Sequence, residues 1–237
     1  MPKKIYVGVV GQIACGKGVL VDYLVKKHGF ISFSLSTIVH QELKKRGIKD
    51  FNRKTLQDVG DDLRKKYGSA VLAKRALWQI KNIKKNHSGG REEKNPDSSQ
   101  SRGMFEASTG GNESETGPAK QTPLRIIIEG IRNTAEVEYL KKKPNFILIG
   151  VKAKRILRFK RLLKRQKPWD PKTYNDFLKV DRRDLGAGQD RSGQQVGKCL
   201  AYCDYVLTNN KDPVDFHRKV EKLIEKIFKL NDDNQTD

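Results

Sequence analysis

One stretch near the N-terminus decides the fold: the apolar run Ile5-Tyr6-Val7-Gly8-Val9-Val10 leads into Gly11-Gln12-Ile13-Ala14-Cys15-Gly16-Lys17-Gly18. The second run has the form G-x-x-x-x-G-K-G, and an amphipathic helical pattern follows it. This strand–loop–helix context predicts a phosphate-binding loop, because glycines let consecutive backbone N–H groups converge on a phosphate and the helix start adds its positive dipole end. We expect Lys17 to reach the outer phosphates. The alternative is a glycine-rich turn with an exposed lysine.

The composition describes a polar chain. Its 237 residues are 36% apolar with a mean hydropathy of −0.71, which predicts that part of the chain is unfolded or forms a solvated charged face. No apolar run approaches the length of a membrane span, and the first residues do not resemble a signal peptide. The three cysteines, at positions 15, 199 and 203, give neither a disulfide framework nor zinc-site spacing. We therefore expect a cytoplasmic protein that does not enter a membrane.

The formal net charge of +21 indicates an attraction to polyanions such as nucleic acid, anionic lipid or nucleotides. Lysines and arginines are scattered over predicted helices, without interleaved aromatic residues and without a nucleic-acid-binding motif. Nucleic acid is therefore an alternative partner, and a solvated charged surface is the favoured interpretation for most of these residues.

Apolar runs alternate with helical patterns along the chain. We predict strands at 4–10, 30–33, 124–129, 145–151 and 204–207. Near-continuous apolar strands separated by helices are typical of a parallel sheet covered on both faces. The predicted fold is α/β: a three-layer α/β/α P-loop NTPase fold with about five mostly parallel strands and a helical lid. Ser36 and Asn52 are the predicted N-cap residues of the second and the third helix.

One domain is predicted from residues 1–85 and 124–237, interrupted by an insert at 86–123. The insert is rich in Gly, Ser, Glu, Asn, Pro and Thr and has almost no apolar residues. Such a segment cannot bury enough surface to offset its ordering entropy, so we predict that it is disordered.

The parallel sheet also predicts where further site residues lie, because ligands bind outside the carboxyl ends of its strands. Glu129 ends the third predicted strand and is the candidate Mg²⁺ carboxylate, acting directly or through water. Arg132 follows in the same loop and is suited to clamp an acceptor phosphate. The alternative for Glu129 is a carboxylate that caps a neighbouring loop.

An arginine-rich helix is predicted at 154–167. Its residues Arg155, Arg158, Arg161 and Arg165 recur every three or four positions and therefore share one side of the helix. Such a face repels itself unless anions lie opposite. Because a polar segment follows at 168–193, we predict a lid whose arginines stabilise charge on a transferring phosphoryl group. The alternative is a solvated helix face followed by an ordinary loop.

Together these motifs resemble the nucleoside monophosphate kinase-like branch of P-loop kinases, which includes adenylate kinases and dephospho-CoA kinases. The G-K-G ending is similar to the adenylate kinase form, which usually continues with Thr where this chain has Val19. The likeness extends over nearly the whole chain apart from the insert, and is strongest to an archaeal and bacterial branch of dephospho-CoA kinase-like proteins. The matching pieces are Val59-Gly60, Leu63-Arg64, Tyr67-Gly68, Glu129-Gly130-Ile131-Arg132, Glu136-Val137, Arg158-Phe159, Arg161-Leu162, Arg182, Asp184-Leu185, Asp204-Tyr205 and Asn209.

The resemblance implies ATP and Mg²⁺ as cofactors, with the loop from Gly11 to Val19 on the ATP phosphates and Glu129 in the metal-linked role. It implies that Asn209 lies near the adenine and that Arg64 and Arg132 bind the acceptor phosphate. The implied catalytic residues are Lys17, Glu129, Arg132 and the lid arginines Arg161, Arg165 and Arg182.

Two departures from the family pattern bear on the substrate. We expect Thr37 and His40 to bind the acceptor with Arg64 and Arg132. They stand where monophosphate kinases usually place Asp and Arg, so the acceptor need not be an ordinary nucleoside monophosphate. The Gly18-Val19 pair offers no hydroxyl to Mg²⁺, so we expect the metal to be held mostly through water and the nucleotide. The leading hypothesis is an ATP-dependent phosphotransferase for a phosphate-bearing acceptor such as a nucleotide or dephospho-CoA. The alternatives are a nucleotide-gated, NTPase-like protein that binds RNA or another polyanion, and a scaffold with a decayed P-loop.

Overall fold

A computed structural model describes residues 4–87 and 124–233. Most of the predicted insert, residues 88–123, lies outside the described residues. The elements, in chain order, are β1 (Ile5–Gly11), α1 (Lys17–His28), β2 (Ile31–Ser34), α2 (Leu35–Lys45), α3 (Arg53–Tyr67), α4 (Val71–His87), β3 (Arg125–Ile131), α5 (Thr134–Lys141), β4 (Phe146–Lys152), α6 (Arg155–Arg165), α7 (Tyr174–Leu185), α8 (Val196–Ala201), β5 (Tyr205–Thr208) and α9 (Pro213–Asp233).

The five strands form one parallel sheet in the order β2-β3-β1-β4-β5, which confirms the predicted α/β class. The central strand is β1, which pairs with β3 on one side and β4 on the other. Strands in the middle of a parallel sheet are buried on both faces, which is why β1 and its two neighbours are apolar.

Side-chain alternation along β1 divides the core into two layers. Tyr6 and Val10 pack on one face with helices α2, α3, α4, α5 and α8, whereas Val7 and Val9 pack on the other with α1 and α9. The sheet is therefore covered on both faces, as predicted. The chain leaves β1 toward the α1 face and leaves the adjacent β3 toward the α5 face, so a crevice opens between their carboxyl ends.

Two helix starts test the capping predictions. Asn52 caps α3 as predicted, because its side chain accepts a hydrogen bond from the Thr55 backbone N–H at 3.0 Å. The prediction for Ser36 is wrong: α2 begins at Leu35, with Ser34 as its N-cap residue. The reason is packing, since Leu35 is fully buried in the core and draws the first turn onto the sheet.

The predicted lid segment, residues 168–193, contains the helix α7. Phe177 of this helix is fully buried against Ile13 and Leu162 in a small third cluster. Closure of the segment over a ligand stays a prediction. Among the described helices, none is both long and apolar enough to cross a membrane.

Candidate functional site

A cavity of about 560 Å³ lies at the carboxyl ends of β1 and β3. Its walls come from the loop before α1, from α2 and α3, from the β3–α5 turn and from α6. Most charged side chains that line it are cationic, and its carboxylates are Asp22 and Glu129. A cavity of this charge favours an anionic ligand.

The loop before α1 has the geometry that the glycine-rich motif predicts. Ala14 and Gly16 adopt left-handed backbone angles, with φ of 56° and 107°. A Cβ at Gly16 would also lie 2.2 Å from Asn209 Nδ2, so only glycine fits there. Lys17 Nζ curls back over the loop and donates to the carbonyls of Gly11 at 2.7 Å and Gln12 at 2.9 Å.

The backbone N–H groups at the start of α1 have no side-chain cap. The N-cap residue is Gly16, no side chain caps the helix, and no acidic residue lies in its first turn. A Cβ at Gly18 would meet nothing within 4 Å among the described residues. The positive end of the helix dipole therefore faces the cavity directly, as phosphate-binding helix starts do.

Lys17 and Glu129 sit together without forming an ion pair. Burial lowers the pKa of Lys17, the charges of Arg132 and Arg165 lower it further, and those of Cys15 and Glu129 raise it. Glu129 has no hydrogen-bond or ion-pair partner among residues 4–87 and 124–233. Both side chains line the same cavity, and an anionic ligand beside Lys17 would favour its charged form.

The β3–α5 turn, in contrast, satisfies its own polar groups. Gly130, at φ 79°, interrupts the register with β1 directly after Glu129. Glu136 is completely buried, and its carboxylate accepts from the backbone N–H groups of Arg132 at 2.8 Å and Asn133 at 3.1 Å. It also accepts from Arg64 Nε at 2.9 Å. This turn holds two predicted acceptor-binding arginines in place.

Those two arginines are tied by carboxylates. Arg64 is 2% exposed and pairs with Asp61 as well as Glu136, while Arg132 pairs with Asp184. Burial, together with the charges of Arg53 and Arg64, lowers the pKa of Arg132 to about 10. Both side chains line the cavity, so the carboxylates fix them without removing them from it.

Arginines on the predicted face of α6 pair with carboxylates of the protein itself. Arg158 is buried and donates two hydrogen bonds to Asp181 of α7, of 2.5 and 2.9 Å. Arg165 binds Asp170 at 2.6 Å. Arg158 therefore ties α6 to α7 and does not line the cavity, whereas Arg161 and Arg165 do.

Asn209 lies behind the loop. Its Nδ2 donates to the Cys15 carbonyl at 3.0 Å, and its Oδ1 accepts from Arg161 Nη2 at 3.0 Å. Asn209 is buried and outside the cavity lining. Arg161 has a second buried nitrogen, Nη1, without a hydrogen-bond partner in the described part of the chain.

The cavity brings most of the predicted site residues together and leaves some apart. Outside its lining lie Gly11, Gln12, Thr37, Arg182 and Asn209, of which Thr37 and Arg182 have exposed side chains. The predicted residues that line it are Ile13, Ala14, Cys15, Gly16, Lys17, Gly18, Val19, His40, Arg64, Glu129, Arg132, Arg161 and Arg165.

Sequence reasoning missed several lining residues, chiefly Arg53, Gln57, Trp169 and Gln194. A signal for the first two was present. Arg53, Gln57 and Arg64 are spaced by four and seven positions, which places them on one side of α3. For Trp169 and Gln194, which lie outside regular elements, the sequence offers no such periodicity.

Comparison of the sequence with known proteins finds similar proteins in archaea. No protein-family model matches the chain. It is 26% identical over 234 residues to a UPF0200 protein of Methanothermobacter thermautotrophicus, covering 97% of this chain and 94% of the relative. It is 36% identical over 106 residues to the UPF0200 protein PH1008 of Pyrococcus horikoshii, an alignment that spans 44% of this chain and about half (53%) of that relative. The chain is thus similar to archaeal UPF0200 proteins.

Among solved structures, a similar chain is the dephospho-CoA kinase from Campylobacter jejuni. The superposition covers 94% of this chain and 97% of that one, at 14% sequence identity and a TM-score of 0.43. The fold assignment rests on the strand order and the parallel pairing of this chain itself.

Proposed function

We propose that this protein is an ATP-dependent phosphotransferase that moves the γ-phosphoryl group of ATP to a small phosphate-bearing acceptor, such as a nucleotide or dephospho-CoA. The observation that carries the proposal is the pair of neighbouring strand ends. At one, the glycine loop leads into a helix that begins at Lys17 and that no side chain caps; at the other, Glu129 makes no hydrogen bond or ion pair with the described residues.

The residues of the loop supply positioning and charge. Phosphoryl transfer needs little covalent chemistry from the protein, so preorganised donors account for most of the catalysis. Lys17 would exchange its two carbonyl partners for the β- and γ-phosphate oxygens. Arg161 and Arg165 face the same cavity from α6 and would stabilise the negative charge of the group in transfer.

The cavity fits Mg²⁺ only with help from the nucleotide. Within the described ranges no three His, Cys, Asp or Glu side chains cluster as metal ligands. This suits a Mg²⁺ site of kinases, which usually combines one or two carboxylates with phosphate oxygens and water. Glu129 would hold the ion with Asp22 as the second carboxylate of the lining. When bound, the ion would neutralise charge on the phosphates.

The acceptor would enter between α3 and the β3–α5 turn. Arg132 and Arg64 both line the cavity and would hold the acceptor phosphate. Since a carboxylate fixes each of these arginines, their guanidinium groups are oriented before the ligand arrives, which lowers the entropic cost of binding.

The test is to follow ADP formation with Mg·ATP across a panel of nucleoside monophosphates and dephospho-CoA. We expect acceptor-dependent ADP from the unsubstituted protein and a loss of about a hundredfold or more in Lys17→Ala. Lys26→Ala, an exposed lysine in the last turn of the same helix, is the matched control and should retain the activity. If no acceptor raises ADP above the acceptor-free level, the proposal fails. ATP binding without transfer would then favour the RNA-binding alternative, which salt-dependent RNA affinity would test.

A further inference from the structure

One side of α3 forms a continuous wall of the cavity. Arg53, Gln57, Gly60 and Arg64 follow one another at helical spacing, and all four line it. Gly60 stands in the interior of the helix, where glycine costs about 1 kcal/mol relative to alanine. A Cβ there would lie 3.4 Å from Arg64 Nη1, so the missing side chain leaves space in front of the wall.

Two polar atoms on this wall are buried and unused. Arg53 Nε and Gln57 Oε1 have no hydrogen-bond partner in the described part of the chain. Gln57 is only 2% exposed. Buried polar groups are nearly always paired, and leaving one unpaired costs free energy, so each such atom needs an explanation.

The remaining atoms of both side chains are anchored. Arg53 Nη2 donates to Asp170 at 2.6 Å, and the same carboxylate also holds Arg165 of α6. Gln57 Nε2 donates to the Val180 carbonyl at 3.1 Å and to Gln194 Oε1 at 3.2 Å. These bonds fix the amide orientation, so the unused atom is the acceptor oxygen.

Arg53 and Gln57 are thus one helical turn apart, both line the cavity, and each carries one buried polar atom without a partner among the described residues. One ligand can use both if it carries an anionic oxygen and, some ångströms away, a neutral O–H or N–H group. The surroundings favour the anion at the Arg53 end, since Lys167 and His40 line the cavity together with Arg53. Burial, and then the charges of Arg53 and Lys167, lower the pKa of His40, so both cations act at this end.

Resting on the proposed phosphotransferase function, we infer that Arg53 and Gln57 bind the acceptor and that the acceptor is an organophosphate with a hydrogen-bond donor on its body. Arg53 Nε donates to a phosphate oxygen, and Gln57 Oε1 accepts from the hydroxyl or amino group. Arg53 thus acts as a specificity residue for the phosphate and Gln57 for the group attached to it.

The experiment is calorimetric titration without ATP, using AMP, dephospho-CoA, ribose 5-phosphate and methyl phosphate as probes. Methyl phosphate carries the anion but no neutral donor of comparable reach. Arg53→Lys keeps the charge and the pairing with Asp170 but loses Nε, so it should weaken the binding of the best probe and of methyl phosphate by about ten- to a hundredfold. Gln57→Met should weaken only the probes with a donor.

The matched control is Arg46→Lys, an arginine of similar pairing that contacts Glu42 and Asp62 away from the cavity. It should bind every probe as the unsubstituted protein does, and ATP affinity should be unchanged in all three variants. The inference is overturned if Arg53→Lys binds the probes normally, if Gln57→Met loses methyl phosphate as strongly as ribose 5-phosphate, or if the unsubstituted protein binds no probe. The expected binding pattern without acceptor-dependent ADP would instead refute the phosphotransferase proposal, and Arg53 and Gln57 would then form a binding site for an organophosphate that is not an acceptor.

Discussion

The turns that follow β1 and β3 are neighbours in the sheet and solve the same problem in opposite ways. Each must deal with the N–H groups that a helix start leaves without intrahelical partners. After β3, Asn133 caps α5 and Glu136 completes a capping box with a fully buried carboxylate. After β1, Gly16 precedes α1 and no side chain caps it.

The difference separates stability from ligand binding. The β3–α5 turn uses its acidic and amide side chains to satisfy its own donors, and it thereby fixes Arg64 and Arg132. The β1–α1 turn keeps its donors for a ligand and offers Lys17 in addition. We call the capped β3–α5 turn the closed turn and the uncapped β1–α1 turn the open turn. Substitutions at the closed turn should therefore act on folding, and those at the open turn on binding.

The largest effect is expected at Glu136. Glu136→Gln removes a buried charge that Arg64 and two backbone N–H groups share. Arg64 would then keep Asp61 as its carboxylate partner but lose its fully buried one, so we expect the free energy of unfolding to fall by about 3 kcal/mol in urea denaturation. Glu138→Gln, at an exposed position of the same helix, is the control and should change it by less than about 0.5 kcal/mol. Equal effects would contradict the assignment of Glu136 to the closed turn.

An intermediate effect is expected at Asn133. Its Oδ1 caps α5, and its Nδ2 donates to the carbonyls of Arg191 and Gly193, both at 2.8 Å. Asn133→Ala should lower the free energy of unfolding by about 2 kcal/mol, measured by the same denaturation. Asn52→Ala removes a cap of the same type at the more exposed start of α3 and should cost only about 1 kcal/mol. If Asn133→Ala costs no more than Asn52→Ala, the buried bonds contribute nothing.

The smallest effect on folding is expected at Gly18 in the open turn. Gly18→Ala adds a Cβ that meets nothing within 4 Å of the described residues and improves helix propensity, so stability should rise by about 0.5 kcal/mol. Thermal denaturation measures this as a slightly higher Tm. Gly16→Ala is the contrasting variant and should lower the Tm, because of its φ of 107° and its contact with Asn209. A destabilised Gly18→Ala would mean that the first turn of α1 is more crowded than its geometry indicates.

Local patterns predicted much of the fold. The strands are short apolar runs, and the glycine loop and the Asn52 cap depend on residues that lie next to each other in the chain. The shared position of the carboxyl ends of β1 and β3 could also be predicted, because parallel strands bring their carboxyl ends to one edge of the sheet. A helix, α1, follows the glycine loop directly, as the sequence pattern predicts.

Partners that are distant in sequence could not be predicted in this way. Arg53 and Asp170 are 117 residues apart, and Arg64 and Glu136 are 72 apart. The arginines of α6 form one face in the sequence, but only the tertiary contacts separate buried Arg158 from cavity-lining Arg161. Helical periodicity identifies which side chains share a face; it does not identify what that face meets.

Through Ile13, the glycine loop packs in the same cluster as helices α6 and α7, which lie far along the chain. The Ile13 side chain packs with Phe177 and Leu162, and its carbonyl accepts from Arg158 at 3.4 Å. Exposed loops commonly open with little free energy, whereas segments that share a core open together. Local unfolding of α6 and α7 therefore removes the support of the loop as well, so amide hydrogen exchange in the loop is coupled to that of two helices more than 140 residues further along the chain.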